Sequence, residues 1–290
     1  IDPEQFALIS AAQSGVVVLR GSAGSGKTTV ALHRIAYLAY QGHQEFPTRR
    51  VLVVVWGRAM RDYVAHVLPA LGVHGVHVTT WNSWARQQVI RHLPELPRRI
   101  AEDTPEPASR VKLHPMVAEL LEAHIRRTPG PARTEQVIED WAQVITDRRG
   151  LREAMGNDIS PAALDRAIAW NTEQSSEILA WMEDPEPVSR QQEEGPDPRL
   201  DPEDYALLLR AWQLRVGPLR GKKRRPLSHV HIVLDEVQDF SPVEVQVLLD
   251  TSDKNRSVTL AGDVRQHISE QAGFSTWQGF LDRIGVESTA

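Results

Sequence analysis

The 290-residue sequence contains no cysteine, which excludes disulfide bridges, thiolate metal sites and a cysteine nucleophile. It also lacks any run of about 18 apolar residues, the length that a transmembrane helix needs. The longest apolar stretches, such as residues 51–56, have the length of a β-strand. We therefore expect a soluble globular protein with no membrane partner and, by default, a cytoplasmic location.

Lysine is scarce as well, with 5 residues against 28 arginines, and the formal net charge is −5. A nucleic-acid-binding surface on such a chain must therefore be local. The arginine excess fits phosphate recognition and equally a base-composition bias of the genome. The densest basic run, residues 221–225, is interpreted either as a contact to phosphates or as a solvated loop between two domains.

A phosphate-binding loop is the most informative motif that the sequence does contain. Residues 21–28 have the spacing G-x-x-x-x-G-K-[ST], between an apolar run at 16–19 and a helical pattern at 28–41. Its glycines let backbone N–H groups point at phosphate oxygens, and the helix adds its positive N-terminal end. The sequence therefore predicts a nucleoside triphosphate site formed by Gly21, Ser22, Ala23, Gly24, Ser25, Gly26, Lys27, Thr28 and Thr29.

Short apolar runs alternate with helical patterns in residues 1–84 and again after residue 229. Strands that alternate with helices indicate a parallel sheet with helices on its faces. The candidate strands are 16–19, 51–55, 76–80, 230–234 and 257–260, and the candidate helices are 28–41, 58–68 and 242–249. We therefore predict a discontinuous α/β domain, residues 1–84 and 226–290.

Residues 85–225 have a different character, because prolines cluster there and helical patterns replace the apolar strand runs. Two clear helical patterns lie at 161–182 and 203–216. In the second, the apolar residues at spacings of three and four are Tyr205, Leu208, Leu209, Trp212 and Val216. We predict a helical subdomain inserted into the α/β domain, with a flexible loop at 191–202.

Two acidic residues, Asp235 and Glu236, follow the apolar run that ends at Leu234. A carboxylate at the C-terminal end of a parallel strand faces the ligand crevice of the sheet. Asp235 is thus placed to hold Mg²⁺, commonly through water, together with the hydroxyl of Thr28. Glu236 is placed to orient and deprotonate an attacking water. A solvated acidic turn is the alternative.

A third strand end carries Gly262 and Asp263, with Gln266 three residues later. Gly-Asp is a common turn, but Gln266 from this position would reach a γ-phosphate or the attacking water. Lys27 would reach the β- and γ-phosphates from the first motif.

In combination, these motifs resemble those of superfamily 1 helicases of the UvrD/Rep type. The loop with its helix is similar to the family's first motif, Asp235–Asp239 to its D-E-x-Q-D motif, and Gly262-Asp263 with Gln266 to its third motif. The resemblance implies a RecA-like P-loop NTPase sheet that binds ATP and Mg²⁺, with Lys27, Glu236 and Gln266 in catalysis.

The same resemblance implies roles for further residues. Gln5 lies where the family keeps an adenine-reading glutamine, and Arg34 lies in the first-motif helix that also serves the nucleotide. The segment Thr80-Trp81-Asn82-Ser83-Trp84 is similar to a T-F-H-S-F segment that lies along single-stranded DNA. The resemblance implies ATP-driven movement along a DNA strand, with Trp56, Thr80, Trp81 and Asn82 as nucleic-acid contacts.

Two segments depart from the family pattern. Residues 51–60 lack the usual T-x-x-A-A pattern that grips DNA, and His267-Ile268-Ser269 replaces the usual Ser-Ile-Tyr. Residues 29–40 and 67–72 resemble the HelD branch instead, whose members act on bacterial RNA polymerase. An ATPase that remodels or recycles RNA polymerase is therefore the alternative function.

The family uses arginines from a second RecA-like domain to stabilise charge on the transferred phosphate. Such an arginine is worth roughly 10³–10⁵ in rate. We expect this sequence to be part of a longer polypeptide that carries that domain. We accordingly expect the 290 residues alone to hydrolyse ATP weakly or not at all.

Overall fold

A computed structural model describes residues 2–42, 46–183, 198–263 and 276–286 of the chain. The chain divides into two compact units. One, here called the α/β unit, comprises residues 1–84 and 220–290, and the other, the helical unit, comprises residues 85–219.

The helices and strands alternate through most of the α/β unit and give way to helices in the helical unit. The helices are α1 (Pro3–Ile9), α2 (Lys27–Gln41), α3 (Arg58–Ala70), α4 (Trp81–His92), α5 (Glu106–Leu113), α6 (Pro115–Arg127), α7 (Thr134–Thr146), α8 (Arg148–Met155), α9 (Pro161–Glu183), α10 (Asp204–Arg215), α11 (Pro242–Leu249) and α12 (Trp277–Arg283). The strands are β1 (Val16–Arg20), β2 (Val51–Val55), β3 (His77–Thr80), β4 (Arg99–Ile100), β5 (Arg199–Leu200), β6 (His231–Leu234) and β7 (Val258–Gly262).

The α/β unit is built on a parallel five-stranded sheet in the order β1-β7-β6-β2-β3. Every one of the five strands overlaps an apolar run that the sequence predicts, so the predicted α/β class and its parallel sheet are confirmed. Helices α2, α3 and α11 also lie at the predicted positions, within two residues at each end. The parallel order brings the carboxyl ends of all five strands to one edge.

The central strands consist of β-branched and other apolar residues because both faces of the sheet are covered. All residues of β2, β6 and β7 are buried. Helix α2 packs its Leu32, Ile35 and Leu38 into the same core as Val53 of β2. The sheet is therefore a rigid base for the loops at its carboxyl edge.

The helical unit has a core formed by α5–α10, with Trp141 of α7 completely buried. Helix α10 differs from the one-faced helix that its sequence predicts, because all residues from Asp204 to Ala211 are buried. Tyr205, Leu208 and Leu209 are buried as predicted, but so are Leu207 and Arg210 on other faces. The reason is that α10 packs against both α6 and α7.

The predicted flexible loop at 191–202 is wrong at its C-terminal end. Arg199 and Leu200 form β5, which pairs in parallel with β4. Asp201 is completely buried, where it accepts a hydrogen bond from Lys112 Nζ at 2.6 Å. Residues 191–197 lie outside the described part of the chain. A buried ion pair, which polar composition alone does not reveal, orders this stretch.

No helix in the described ranges is both long enough and apolar enough to cross a lipid bilayer.

His231 lies in the core of the α/β unit as the first residue of β6, and His229, which is half-buried, lies two residues before the strand. His231 has no exposed surface, and its ring contacts Ser257 at 2.7 Å and Thr259 at 3.2 Å. Burial lowers the pKa of His231 to about 3, and burial likewise lowers the pKa of His229 to about 4. Both rings are therefore neutral in the folded protein at neutral pH.

These histidines predict a loss of stability in acid. In the unfolded chain a histidine protonates near pH 6.5, so below that pH the unfolded state binds more protons than the folded state. For His231 alone the free energy of unfolding should fall by up to about 1.4 kcal/mol per pH unit between about pH 6.5 and pH 3. Urea unfolding at a series of pH values measures this dependence of the free energy of unfolding on pH. His231→Gln should flatten the slope, and His66→Gln, at an exposed position, is the control; equal slopes in both would contradict the prediction.

Candidate nucleotide-binding site

Three strand ends meet at the carboxyl edge of the sheet, and each carries one of the predicted motifs. The phosphate-binding loop follows β1, Asp235 follows β6, and Asp263 follows β7. Since β7 pairs with both β1 and β6, the three motifs are adjacent in the order loop, Asp263, Asp235. Ligands of open α/β sheets bind at this edge.

The loop leads directly into α2. Gly26 caps the helix in a left-handed conformation, with φ of 83°, which glycine adopts without strain. Lys27 is only 9% exposed, and its Nζ donates to the carbonyl oxygens of Gly21 and Ser22 at 2.9 and 3.0 Å. The ammonium group therefore lies across the loop, next to the positive end of α2.

Thr28 and Asp235 are in direct contact. Thr28 Oγ1 donates to Asp235 Oδ2 at 2.7 Å, although the two residues are 207 positions apart in sequence. Asp235 is 2% exposed, and burial raises its pKa, with Glu236 adding to the effect. A desolvated carboxylate of this kind is stabilised by a neighbouring cation.

Glu236 is held by Gln238, a residue that motif reasoning left without a role. Gln238 Nε2 donates to Glu236 Oε2 at 2.6 Å, and Gln238 Oε1 accepts from the backbone N–H of Asp263 at 3.0 Å. One side chain thus connects the ends of β6 and β7. Gln238 lies close to the backbone of Gly262, since a Cβ at Gly262 would lie 2.7 Å from Gln238 Oε1.

Glu236 itself has a left-handed backbone, with φ of 54° and ψ of 49°. This conformation is uncommon for a residue with a side chain and costs of order 1 kcal/mol. Asp239, one turn later, is largely buried; burial raises its pKa to about 6, with the charge of Glu236 contributing. The backbone strain of Glu236 and the neighbouring negative charges therefore occur together at the end of β6. Such features are concentrated at functional sites.

A family model described as an AAA domain matches residues 4–272 of the chain. The chain belongs to the AAA domain family. Such domains are found in helicases of the UvrD/Rep type. No curated protein matches the chain. Because the chain belongs to this family, its phosphate-binding loop is the loop of a P-loop NTPase domain.

An AAA domain implies a nucleotide and Mg²⁺, and the residues at this edge fit both. Mg²⁺ prefers oxygen ligands, which the Thr28 hydroxyl and the Asp235 carboxylate supply within 2.7 Å of each other. The ammonium of Lys27 and the N-terminus of α2 supply positive potential for phosphates. When bound, Mg²⁺ neutralises negative charge on the phosphates.

Gln5 lies beside the loop of the AAA domain. Its Nε2 would be 3.4 Å from a Cβ placed on Gly26. Its Oε1 accepts from the Asp2 backbone N–H at 3.2 Å, and its own N–H is capped by Asp2 Oδ1 at 2.7 Å. The N-terminal helix therefore places a carboxamide next to the loop, and its role in reading adenine stays a prediction.

Arg34 is placed differently from the prediction of a direct nucleotide contact. Its side chain is completely buried, and its two terminal nitrogens donate to four carbonyl oxygens, those of Leu8, Ile9, Ala11 and Ala12, at 2.6–3.3 Å. Arg34 therefore holds the segment after α1 against α2. The prediction of contact with the ligand is wrong for this structure, because the guanidinium faces the chain itself.

The residues that the resemblance predicts to contact nucleic acid divide into exposed and buried ones. Trp56, directly after β2, is 50% exposed and meets Phe240 edge to face. Asn82 is exposed in the first turn of α4. Thr80 is 6% exposed and bonds to Ser83 Oγ at 2.9 Å. Trp56 follows β2 and Asn82 follows β3, the strand that ends at Thr80 and pairs with β2.

Trp81 is wrong as a stacking residue in this structure. It is 2% exposed, and its ring packs on that of Trp84, which is equally buried, with centroids 5.7 Å apart. Both indoles serve the packing of α4. Gln266 lies outside the described residues, so its predicted contact with phosphate or water stays a prediction.

Arg34 gives a test of its structural role. Arg34→Met should lower the free energy of unfolding by about 2–4 kcal/mol, because it removes the charged donor from four carbonyls, one of which is in a fully buried bond. Chemical denaturation measures the change, and Arg49→Met, at an exposed position, should change it little. A large loss of MgATP affinity with unchanged stability would instead support direct ligand contact.

Proposed function

We propose that this AAA domain binds MgATP and is the first motor domain of a UvrD/Rep-type helicase, coupling ATP hydrolysis to movement on single-stranded DNA. The observation that carries the proposal is the contact between motifs distant in sequence. Thr28 bonds to Asp235, and Gln238 joins Glu236 to the backbone of Asp263. Three motifs of an ATPase are thereby assembled at one edge of the sheet.

The side chains divide the work according to their chemistry. Lys27 and the loop bind phosphates, and Thr28 with Asp235 holds Mg²⁺. Glu236 orients a water and accepts its proton, a role that suits a carboxylate held in position by a neutral carboxamide donor. Gln5 reads adenine beside the loop, and Gln266 senses the γ-phosphate.

Completion of the site needs a partner surface. In the proposed motor, a second RecA-like domain of the same polypeptide supplies the arginines that stabilise charge on the transferred phosphate. The α/β unit and the helical unit are, in this proposal, the motor domain and its inserted subdomain. The isolated 290 residues should then bind ATP better than they hydrolyse it.

Two substitutions test nucleotide binding and ATP hydrolysis separately. Lys27→Ala should weaken MgATP binding about 10-fold to 100-fold, because it removes charge-assisted hydrogen bonds. Glu236→Gln should keep the affinity within a few-fold, since a carboxamide oxygen still accepts from Gln238. In a polypeptide with the second motor domain, Glu236→Gln should lower kcat about 10²–10⁴-fold. Calorimetry and a phosphate-release assay measure the two effects.

The control for both variants is Glu95→Gln, an exposed change in the helical unit that leaves the three strand ends intact. Full turnover by Lys27→Ala would contradict the ATPase assignment. Loss of MgATP binding in Glu236→Gln would contradict the role of Glu236 as base.

Trp56 tests the nucleic-acid part of the proposal. Its replacement by Ala should weaken single-stranded DNA binding about 5-fold to 150-fold, the range expected for one lost base stack. Tyr63→Ala removes a similarly exposed aromatic ring from α3 and is the matched control. Fluorescence anisotropy with a labelled oligonucleotide measures both.

Equal binding by the Trp56 and Tyr63 variants would contradict a stacking role. ATP turnover that responds to RNA polymerase and not to DNA would favour the alternative, an ATPase that remodels or recycles polymerase.

A further inference from the structure

The helical unit contains a buried charged cluster formed by Lys112, Asp201 and Asp204, none of which has any exposed surface. Lys112 Nζ donates to Asp201 Oδ2 at 2.6 Å and to Asp204 Oδ2 at 2.8 Å. It also donates to Gln174 Oε1 at 2.7 Å. All three ammonium hydrogens are therefore used.

The cluster carries more negative than positive charge. One ammonium faces two carboxylates, so the three ionised groups sum to one negative charge, and none of the three side chains has exposed surface. Burial raises the pKa of Asp204 to about 6, and the charge of Asp201 adds to the effect. A buried excess charge of this kind is unfavourable unless a counterion or a proton compensates it.

The two carboxylates differ in how well they are satisfied. Asp204 uses both oxygens, since Oδ1 accepts from Trp141 Nε1 at 2.9 Å. Asp201 Oδ2 accepts from Trp170 Nε1 at 2.9 Å in addition to Lys112. Asp201 Oδ1 has no hydrogen-bond partner among the described residues. A buried carboxylate oxygen without a donor costs free energy, and native structures rarely leave one unexplained.

A cavity of about 100 Å³ is lined in part by Asp201. Its lining also includes Trp170, Glu173, Glu177 and one cation, Arg199, whose guanidinium is already ion-paired on the protein. Trp170, Glu173 and Glu177 share one face of α9 at helical spacings, and both glutamates are exposed. The cavity is therefore a pocket with a buried acceptor at one wall, an aromatic wall and an acidic mouth.

We propose that this pocket binds an organic cation with several N–H donors, a guanidinium or primary ammonium group, with Asp201 Oδ1 as its buried acceptor. Such a group supplies both the missing donor and the missing positive charge. Trp170 offers a ring face for a cation–π contact, and Glu173 with Glu177 attracts the cation at the mouth. A bare metal ion fits less well, since no cluster of three metal-binding side chains occurs in the described ranges.

The proposal is independent of the ATPase assignment, because all of its residues belong to the helical unit. Water is the competing occupant, since a polar cavity of this size accommodates several molecules. Water supplies donors but no charge, which distinguishes the two occupants experimentally.

The test uses arginine amide as the probe and citrulline amide as the ligand control, both acetylated at the α-amino group, so that the control carries no charge. The indole Nε1–H signal of Trp170, assigned with Trp170→Phe, should shift saturably with arginine amide and not with citrulline amide. The same titration with agmatine, and with a short peptide that contains one arginine, distinguishes a free amine from the side chain of a protein partner.

The variant that tests the mouth is Glu173→Gln with Glu177→Gln, which should weaken arginine amide binding about 3-fold to 30-fold. Its matched control is Glu135→Gln with Glu139→Gln, an exposed pair one turn apart on α7 with the same change of charge. Asp201→Asn should abolish saturable binding, if circular dichroism shows that it folds.

The proposal is overturned if arginine amide gives no saturable shift in the unmodified protein, or if citrulline amide shifts the signal equally. Equal loss of affinity in the two glutamate pairs would also overturn it, since that result means non-specific attraction. The glutamate pair decides the question even if Asp201→Asn does not fold.

Discussion

The candidate site depends on the hydrogen bond between Thr28 and Asp235, which joins residues 207 positions apart. It forms only because β1 and β6 run parallel with β7 between them, so that their carboxyl ends open on the same edge. Gln238 makes the corresponding connection between β6 and β7. The first of these contacts unites strand ends that are separated in the chain by the whole helical unit. The sheet order therefore determines whether the motifs form one site.

Buried charge has different consequences in the two units. In the α/β unit, Arg34 is surrounded by carbonyl oxygens, and its positive charge fastens the segment that leads from Gln5 to β1. In the helical unit, Lys112 cannot balance both Asp201 and Asp204. The first arrangement uses both terminal nitrogens of Arg34, although its Nε has no partner among the described residues. The second leaves a carboxylate oxygen without a donor and one negative charge unmatched. The second arrangement also borders a cavity and therefore points to a ligand.

Much of the fold could be predicted because strands buried on both faces leave uninterrupted apolar runs. Val51–Val55 is such a run and forms β2 as predicted. The loop at 21–28 was also recognisable, since its spacing serves phosphate binding directly. Arg34 and Trp81 were assigned wrongly because polar or aromatic residue type does not reveal burial. The order at Leu200 and Asp201 was missed for the same reason: an ion pair with Lys112, distant in sequence, stabilises a segment of polar composition.

By itself, the sequence determined the five strands of the sheet, the phosphate-binding loop and the residues that make up each nucleotide-binding motif. These features depend on local spacing and on the periodicity of apolar residues. Only the tertiary structure decided which side chains meet. It joined Glu236 to Asp263 through Gln238, turned Arg34 toward carbonyls and enclosed Asp201 beside a cavity. These outcomes depend on strand order and on helix packing, which bring together residues that no local pattern relates.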